Sequence, residues 1–136
     1  NISNVSLKNT VFNNTIFKKS KILWLNFWEI RTYLTSFHFY DCQMHLCFFN
    51  SMNLKNIIFE DSLIKEVDFT KTQLEWAKFL YCDLEKSIFS QSNLKKADFS
   101  WAINFSIHPL NNTLSGTIFT SENALLLLQS FDIEVK

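Results

Sequence analysis

The sequence predicts an all-β solenoid of square cross-section, closed at its C-terminal end by a short helix and a strand. Two observations predict it: a large apolar residue recurs every fifth position, and a Phe recurs every tenth. Starting at Phe39 and stepping by five gives Phe39, Met44, Phe49, Leu54, Phe59, Ile64, Phe69, Leu74, Phe79, Leu84, Phe89, Leu94 and Phe99, thirteen centres without a gap. Neither the helical period of 3.6 nor the strand period of 2 divides five, so either element would scatter these side chains over all its faces. They share one interior only if the chain turns a corner every five residues. Four corners then make a coil of twenty residues, and coils stack at the strand spacing of about 4.8 Å.

The same frame runs upstream through Leu7, Phe12, Phe17, Ile22 and Phe27. Two places before each centre sits a smaller set that also points inward: Cys42, Cys47, Met52, Ile57, Ser62, Val67, Thr72, Ala77, Cys82, Ser87, Ser92 and Ala97. Small side chains there let each corner close around the larger one. On a twenty-residue coil Phe39, Phe59, Phe79 and Phe99 form one core column, and Phe49, Phe69 and Phe89 fill the opposite one. Aliphatic residues occupy the remaining two faces, so rings and branched chains fill a narrow interior without voids. Asn53, Gln73 and Asn93 lie twenty apart and predict an external amide ladder. One Gly and one Pro in 136 residues fit turns that are built into the repeat.

The frame slips once early and once late. From Phe27 to Phe39 is twelve residues, not ten, and the surplus within Trp28–Ser36 predicts a loop bulging from one edge. That loop holds Trp28, Arg31 and Tyr33, residue types enriched at interface hot spots. Either they contact a partner, or Trp28 and Tyr33 fold back over Phe27 and Phe37. The pattern breaks again over Ile103–Gly116 and resumes with Thr117, Ile118 and Phe119. A repeat domain over residues 1–120 thus gives way to a capping segment over 121–136. There Ser121 is placed to cap a helix and Glu122 suits its first turn. Leu125 and Leu128 fall on one side of that helix, and Leu127 and Phe131 on another. One stripe seals the final coil, and the other stays free. Phe131–Val135 alternates as an edge strand, with Ile133 on its apolar side. A self-complementary Leu patch beside an edge strand predicts a two-fold interface between copies.

Composition excludes several function classes. Lys plus Arg is 13 and Asp plus Glu is 13, so no global field of either sign draws in nucleic acid. No apolar run approaches a membrane span. Neither does the N-terminus show a charged region followed by an apolar one. It has no initiator Met and opens straight into repeats, which points to further coils upstream. Three cysteines at inward positions suggest small hydrophobes in a reducing, cytoplasmic setting. His38, His45 and His108 do not converge on them, so no metal or cofactor is expected. Exposed residues on one face recur only every twenty positions, so no catalytic triad assembles, and Gly116 alone makes no phosphate loop. No enzyme is expected. Trp76, Tyr81 and Trp101 land on outward positions, the last two one coil apart.

The repeat units Val67-Asp68-Phe69, Cys82-Asp83-Leu84, Ser92-Asn93-Leu94 and Ala97-Asp98-Phe99 resemble the pentapeptide repeat family over about 120 residues. That resemblance implies a right-handed quadrilateral β-helix. The coil, loop and terminal-helix order is similar to the C-terminal two thirds of the bacterial Qnr quinolone-resistance group and its chromosomal relatives. It implies a homodimer joined through the C-terminal helix and strand. It also implies binding to DNA gyrase or topoisomerase IV, protected from quinolones by a protein rod that imitates B-form DNA. Neither a membrane nor nucleic acid itself is then a partner. Under that reading the contact surfaces are the loop and the acids near the Phe39 column: Asp41, Glu60, Asp61 and Asp98. The alternative is a general protein-interaction scaffold with another partner, favoured by zero net charge and by Lys55, Lys95 and Lys96 on one face.

Overall fold

Large side chains at every fifth position leave the chain one way to bury them, and the computed structural model, which describes residues 1–32 and 35–136, shows it. Every centre from Phe39 to Phe99 is buried, and so is every residue two places before one from Cys42 to Ala97. The outward residues between them are exposed or half-buried. The strands are short because each wall of the tube holds only a few residues before the next corner. They are β1 (Ile2–Ser3), β2 (Thr15–Lys18), β3 (Lys21–Leu23), β4 (Phe37–Tyr40), β5 (Gln43–His45), β6 (Ile58–Glu60), β7 (Leu63–Lys65) and β8 (Lys78–Leu80). Two parallel sheets, β1-β3-β5-β7 and β2-β4-β6-β8, form adjacent walls. The walls centred on Phe49 and Leu54 are tied by single parallel bridges such as Phe48↔Asp68 and Asn53↔Gln73.

Register confirms the coil length. Phe39 pairs with Phe59 and Met44 with Ile64, each twenty residues on. The core columns stack as the period requires. Phe39, Phe59, Phe79 and Phe99 have successive ring centroids 5.1, 5.0 and 4.8 Å apart and nearly parallel planes. Phe49, Phe69 and Phe89 stack at 5.3 and 5.0 Å. The two columns meet edge to face, for example Phe69 and Phe79 at 5.5 Å and 87°. Negative ring faces therefore meet positive ring edges throughout the interior.

The corners explain the missing glycines. Two residues after each centre the backbone enters the left-handed region, at Asp41, Leu46, Ser51, Asn56 and every fifth residue to Trp101. Each such residue resists that conformation by about 1 kcal/mol unless it is Gly or Asn. Stacking and cross-coil hydrogen bonds hold it there. Several corners close with a turn bond, as Ala77 N–H donates to the Leu74 carbonyl at 3.0 Å. The small inward residues do more than save space. Ser87 Oγ donates to the Ile64 carbonyl at 2.7 Å and accepts from Val67 N–H at 3.1 Å, so one hydroxyl rivets two coils.

Both slips in the frame are resolved. Across residues 28–36 the register lengthens to 22, with Phe17 opposite Phe39 and Ile22 opposite Met44. The ring columns continue unbroken, Phe17 on Phe39 at 4.9 Å and Phe27 on Phe49 at 4.5 Å. A 3-10 turn at Phe27–Glu29 absorbs the surplus, and Ile30 enters the core. The second break is shorter than Ile103–Gly116. Ile103 still pairs with Asp83 and Thr113 with Asn93 at twenty, while Ile107 faces Phe89 at eighteen. Phe105 and Ile107 fill the core where the frame would put Asn104 and Pro109.

At the C-terminus the structure departs from expectation. The helix is a 3-10 helix over Asn123–Phe131, and its first turn is met by Thr120 Oγ1, which accepts from Asn123 N–H at 3.3 Å, rather than by Ser121. No strand follows. Phe131 ends the helix, Asp132 turns left-handed, and residues 132–136 are exposed.

Candidate interaction surfaces

A tube whose core is filled by its own side chains offers no deep cleft, so function rests on what its corners and ends display. The C-terminal end is closed by a polar plug. Asn123 is buried, and its Nδ2 donates to the carbonyls of Phe99 at 2.8 Å and Ala102 at 2.9 Å. Leu126 and Leu127 pack beside it on the core, so the sealing stripe includes Leu127 but not Phe131. Leu125, Phe131 and Ile133 are exposed and Leu128 is half-buried. Phe131 leans on His108, with centroids 5.2 Å apart.

The loop does not stand free of the tube. Arg31 is pinned to the preceding coil, its Nε and Nη2 donating to Asn9 Oδ1 at 3.3 and 3.1 Å and its N–H to the Thr10 carbonyl. Trp28 is exposed and borders a shallow hollow with Thr32, Ser51 and Met52. Tyr33 lies outside the described residues.

The acids divide into two populations. Glu66 meets His45 at 3.4 Å and Glu85 meets Lys65 at 3.2 Å, while Glu75 sits between Lys55 and Lys95 at 3.9 Å from each. Asp41, Glu60, Asp61 and Asp83 have no ion pair among the described residues. Asp41 and Asp61 share one corner column, and Glu60 and Asp83 flank it. Asp98 does not join them. It lies on the far edge of the wall beyond Lys78, and its carboxylate accepts from Ser100 N–H at 2.8 Å. The amide ladder forms between Asn93 and Gln73 at 3.2 Å, while Asn53 turns instead to Lys55 N–H.

Besides the lone Trp24, aromatic residues occupy two corners. In the column of Asp41 and Asp61 the next two coils place Tyr81 and Trp101, with parallel rings 6.5 Å apart. At the adjacent corner Trp76 is covered by Lys96, whose Nζ lies 4.5 Å from the ring centroid. The thiols are chemically quiet. Burial pushes Cys42 and Cys47 upward and Cys82 to about 12. Burial also lowers His38, whose Nδ1 accepts from Ile58 N–H. Among the described residues no three His, Cys, Asp or Glu side chains converge as metal ligands, and no helix is long and apolar enough to cross a membrane.

No curated protein matches the chain. The full-length structure of QnrB1, a plasmid-mediated fluoroquinolone resistance protein, aligns at 15% identity and a TM-score of 0.43, covering 97% of each chain. Rfr23, a pentapeptide repeat protein from the cyanobacterium Cyanothece 51142, aligns at 14% identity and 0.29, covering 79% of this chain and 85% of its own. HetL, from Nostoc sp. strain PCC 7120, aligns at 14% and 0.27, covering 83% of this chain and 56% of its own. The family profile described as a pentapeptide repeat region matches residues 30–99, just over half of the sequence. With every centre of that stretch turned into one stacked core, the chain belongs to the pentapeptide repeat family.

Proposed function

We propose that this is a non-enzymatic binding protein of the DNA-mimic type that engages DNA gyrase or topoisomerase IV and protects it from quinolones. The observation that carries the reading is the corner of unpaired acids, Asp41, Glu60 and Asp61 with Asp83 beside them. A surface built to hold DNA phosphates is cationic, and carboxylates repeated at one corner of a rigid rod are the complement it selects. Glu75 and Glu85, by contrast, already have lysines beside them. Trp28 supplies an exposed aromatic contact from the edge beside the loop. Leu125, Phe131 and Ile133 form the apolar face through which two copies pair.

A supercoiling assay with ciprofloxacin tests the reading. The expected result is that the protein restores supercoiling and that Asp41→Asn with Asp61→Asn abolishes the rescue. If the unaltered chain neither protects nor binds either subunit at micromolar concentration, the reading falls. A general scaffold for another protein is the second reading, favoured by the Lys55–Glu75–Lys95 ladder and zero net charge. Salt separates them, because contacts made through unpaired acids weaken steeply as ionic strength rises.

A further inference from the structure

Besides the lone Trp24, two corners of the tube carry exposed rings, and among the described residues only one of them has a cation. At the first, Trp76 lies under Lys96. Gly116, one coil further, makes this possible: a Cβ there would meet Lys96 Cγ at 3.1 Å. At the second, Tyr81 and Trp101 are 57% and 53% exposed, with planes within 9° of parallel. No Lys or Arg lies over either ring among the described residues. The groups around this second corner have the opposite sign. Asp61 and Asp83 border the same shallow hollow as the two rings, with Leu63 and Ile103 as its apolar flank. Asn104 Nδ2 donates to Asp83 at 2.9 Å, which orients the carboxylate without neutralising it. Lys19 and Lys21 stand near Asp41 at the other end of the column, away from the rings.

We propose that the Tyr81–Trp101 corner is a docking site for an arginine side chain of a protein partner, held between the ring faces and the carboxylates of Asp61 and Asp83. The chain itself shows at Trp76 how such a ring is satisfied when a cation is within reach. At the second corner the ring faces and their acids are present and the cation must come from outside. Arginine fits better than lysine because its planar guanidinium lies flat on a ring and still offers paired N–H groups to a carboxylate. Nucleic acid is the wrong occupant, since its phosphates would face two carboxylates. The inference rests on the same acidic corner as the proposed function but not on the identity of the partner.

The test is a titration of ¹⁵N-labelled protein with a short peptide of alternating Arg and Gly, following the indole N–H signals of the four Trp residues. The Trp101 signal is expected to move, with Trp76 unaffected. Trp101→Leu is expected to weaken binding about tenfold, and Trp101→Phe, which keeps a ring and controls for folding, to stay within about twofold. Asp61→Asn with Asp83→Asn is expected to weaken binding by a similar factor, and a Lys–Gly peptide to bind more weakly than its Arg counterpart. Undiminished binding by Trp101→Leu, an equal movement of Trp76, or no binding at millimolar peptide would overturn the proposal. Because the probe is a peptide, a failure of quinolone protection leaves this result untouched, and a failure of peptide binding overturns this corner alone.

Discussion

The regular coils from Phe39 to Ala102 and the closing segment from Ile103 onward solve the same problem by different means. In the regular coils every ring but Phe89 lies between rings above and below, and each inward hydroxyl finds a partner one coil away. The closing segment has no coil beyond it. Phe119 stacks on Phe99 at 5.5 Å but remains half-buried, and Phe105 tilts across both. The Phe99 and Ala102 carbonyls below it take the single side chain of Asn123 in place of a further coil. Repetition therefore distributes stability evenly along the tube, whereas the end depends on a few unique residues. In a stack where coils touch only their neighbours, that end is where opening starts.

Core truncation gives the largest expected difference between the two regions. Phe59→Ala removes a fully buried ring with rings stacked above and below it and is expected to cost about 3–5 kcal/mol. Phe119→Ala, half-exposed at the end, is expected to cost about half as much. Urea denaturation of the two variants checks the ordering. Equal losses would mean that the end is as well packed as the middle, contrary to the comparison.

Next comes the plug. Asn123→Leu keeps the volume of the side chain but removes the Ala102 carbonyl's side-chain donor and one of the two donors of the Phe99 carbonyl, whose other is Ala102 N–H, an expected loss of about 2 kcal/mol. The buried Oδ1 of Asn123 has no partner, so the amide donors carry the whole benefit. Hydrogen exchange sharpens the result. Amides of the last coil, such as Phe99 and Ala102, are expected to lose protection while those around Phe59 keep theirs.

These residues also mark what the sequence could and could not reveal. The five-residue period exposed the core from Phe39 to Phe99, both ring columns and the cage of inward small residues, because each depends on a local rule applied without exception. The Tyr81–Trp101 stack followed from the same arithmetic. Ile30, Phe105 and Ile107 escaped it, since they enter the core where the count has slipped. Asn123 escaped it for another reason: its amide serves the carbonyls of Phe99 and Ala102, more than twenty residues away, and nothing in its neighbours signals that. Likewise the expected strand over Phe131–Val135 had the right alternation, yet Phe131 closes the helix and residues 132–136 stay exposed and unpaired, because alternation alone names no neighbouring strand. Asp41, Glu60 and Asp61 were legible from their place near the Phe39 column, but Asp83 in place of Asp98 was not, because neither the period nor the neutral total records which carboxylates find partners.

The thiols offer a pH test of how dry the regular coils are. Burial raises Cys82 from 9.0 to about 12 in the folded chain. Between those values the folded state keeps a proton that the unfolded state has released, so stability falls as pH rises through that window and is fully present below it. The contribution is at most about 1.4 kcal/mol per pH unit. Cys82→Ala is expected to flatten the stability curve by that amount above pH 9.0 and to leave its slope unchanged at neutral pH. An unaltered slope in the variant would show that water reaches the inner corners.

The smallest effect concerns Gly116, the one corner in its column without a side chain. Asn56, Trp76 and Lys96 show that the left-handed backbone at φ near +60° does not itself require Gly in this column. Gly116, at φ +70°, is needed for a second reason: its missing Cβ gives Lys96 room to lie over Trp76. Gly116→Ala combines a modest backbone cost with a nudge to Lys96 and is expected to lose about 1 kcal/mol. Lys96→Ala should lose less than that, because an exposed cation–π contact contributes only about 0.5–1 kcal/mol. If Gly116→Ala costs as little in the Lys96→Ala background as backbone strain alone allows, the glycine serves the cation. An undiminished cost in that background would assign it wholly to the backbone and detach the first aromatic corner from its own lysine.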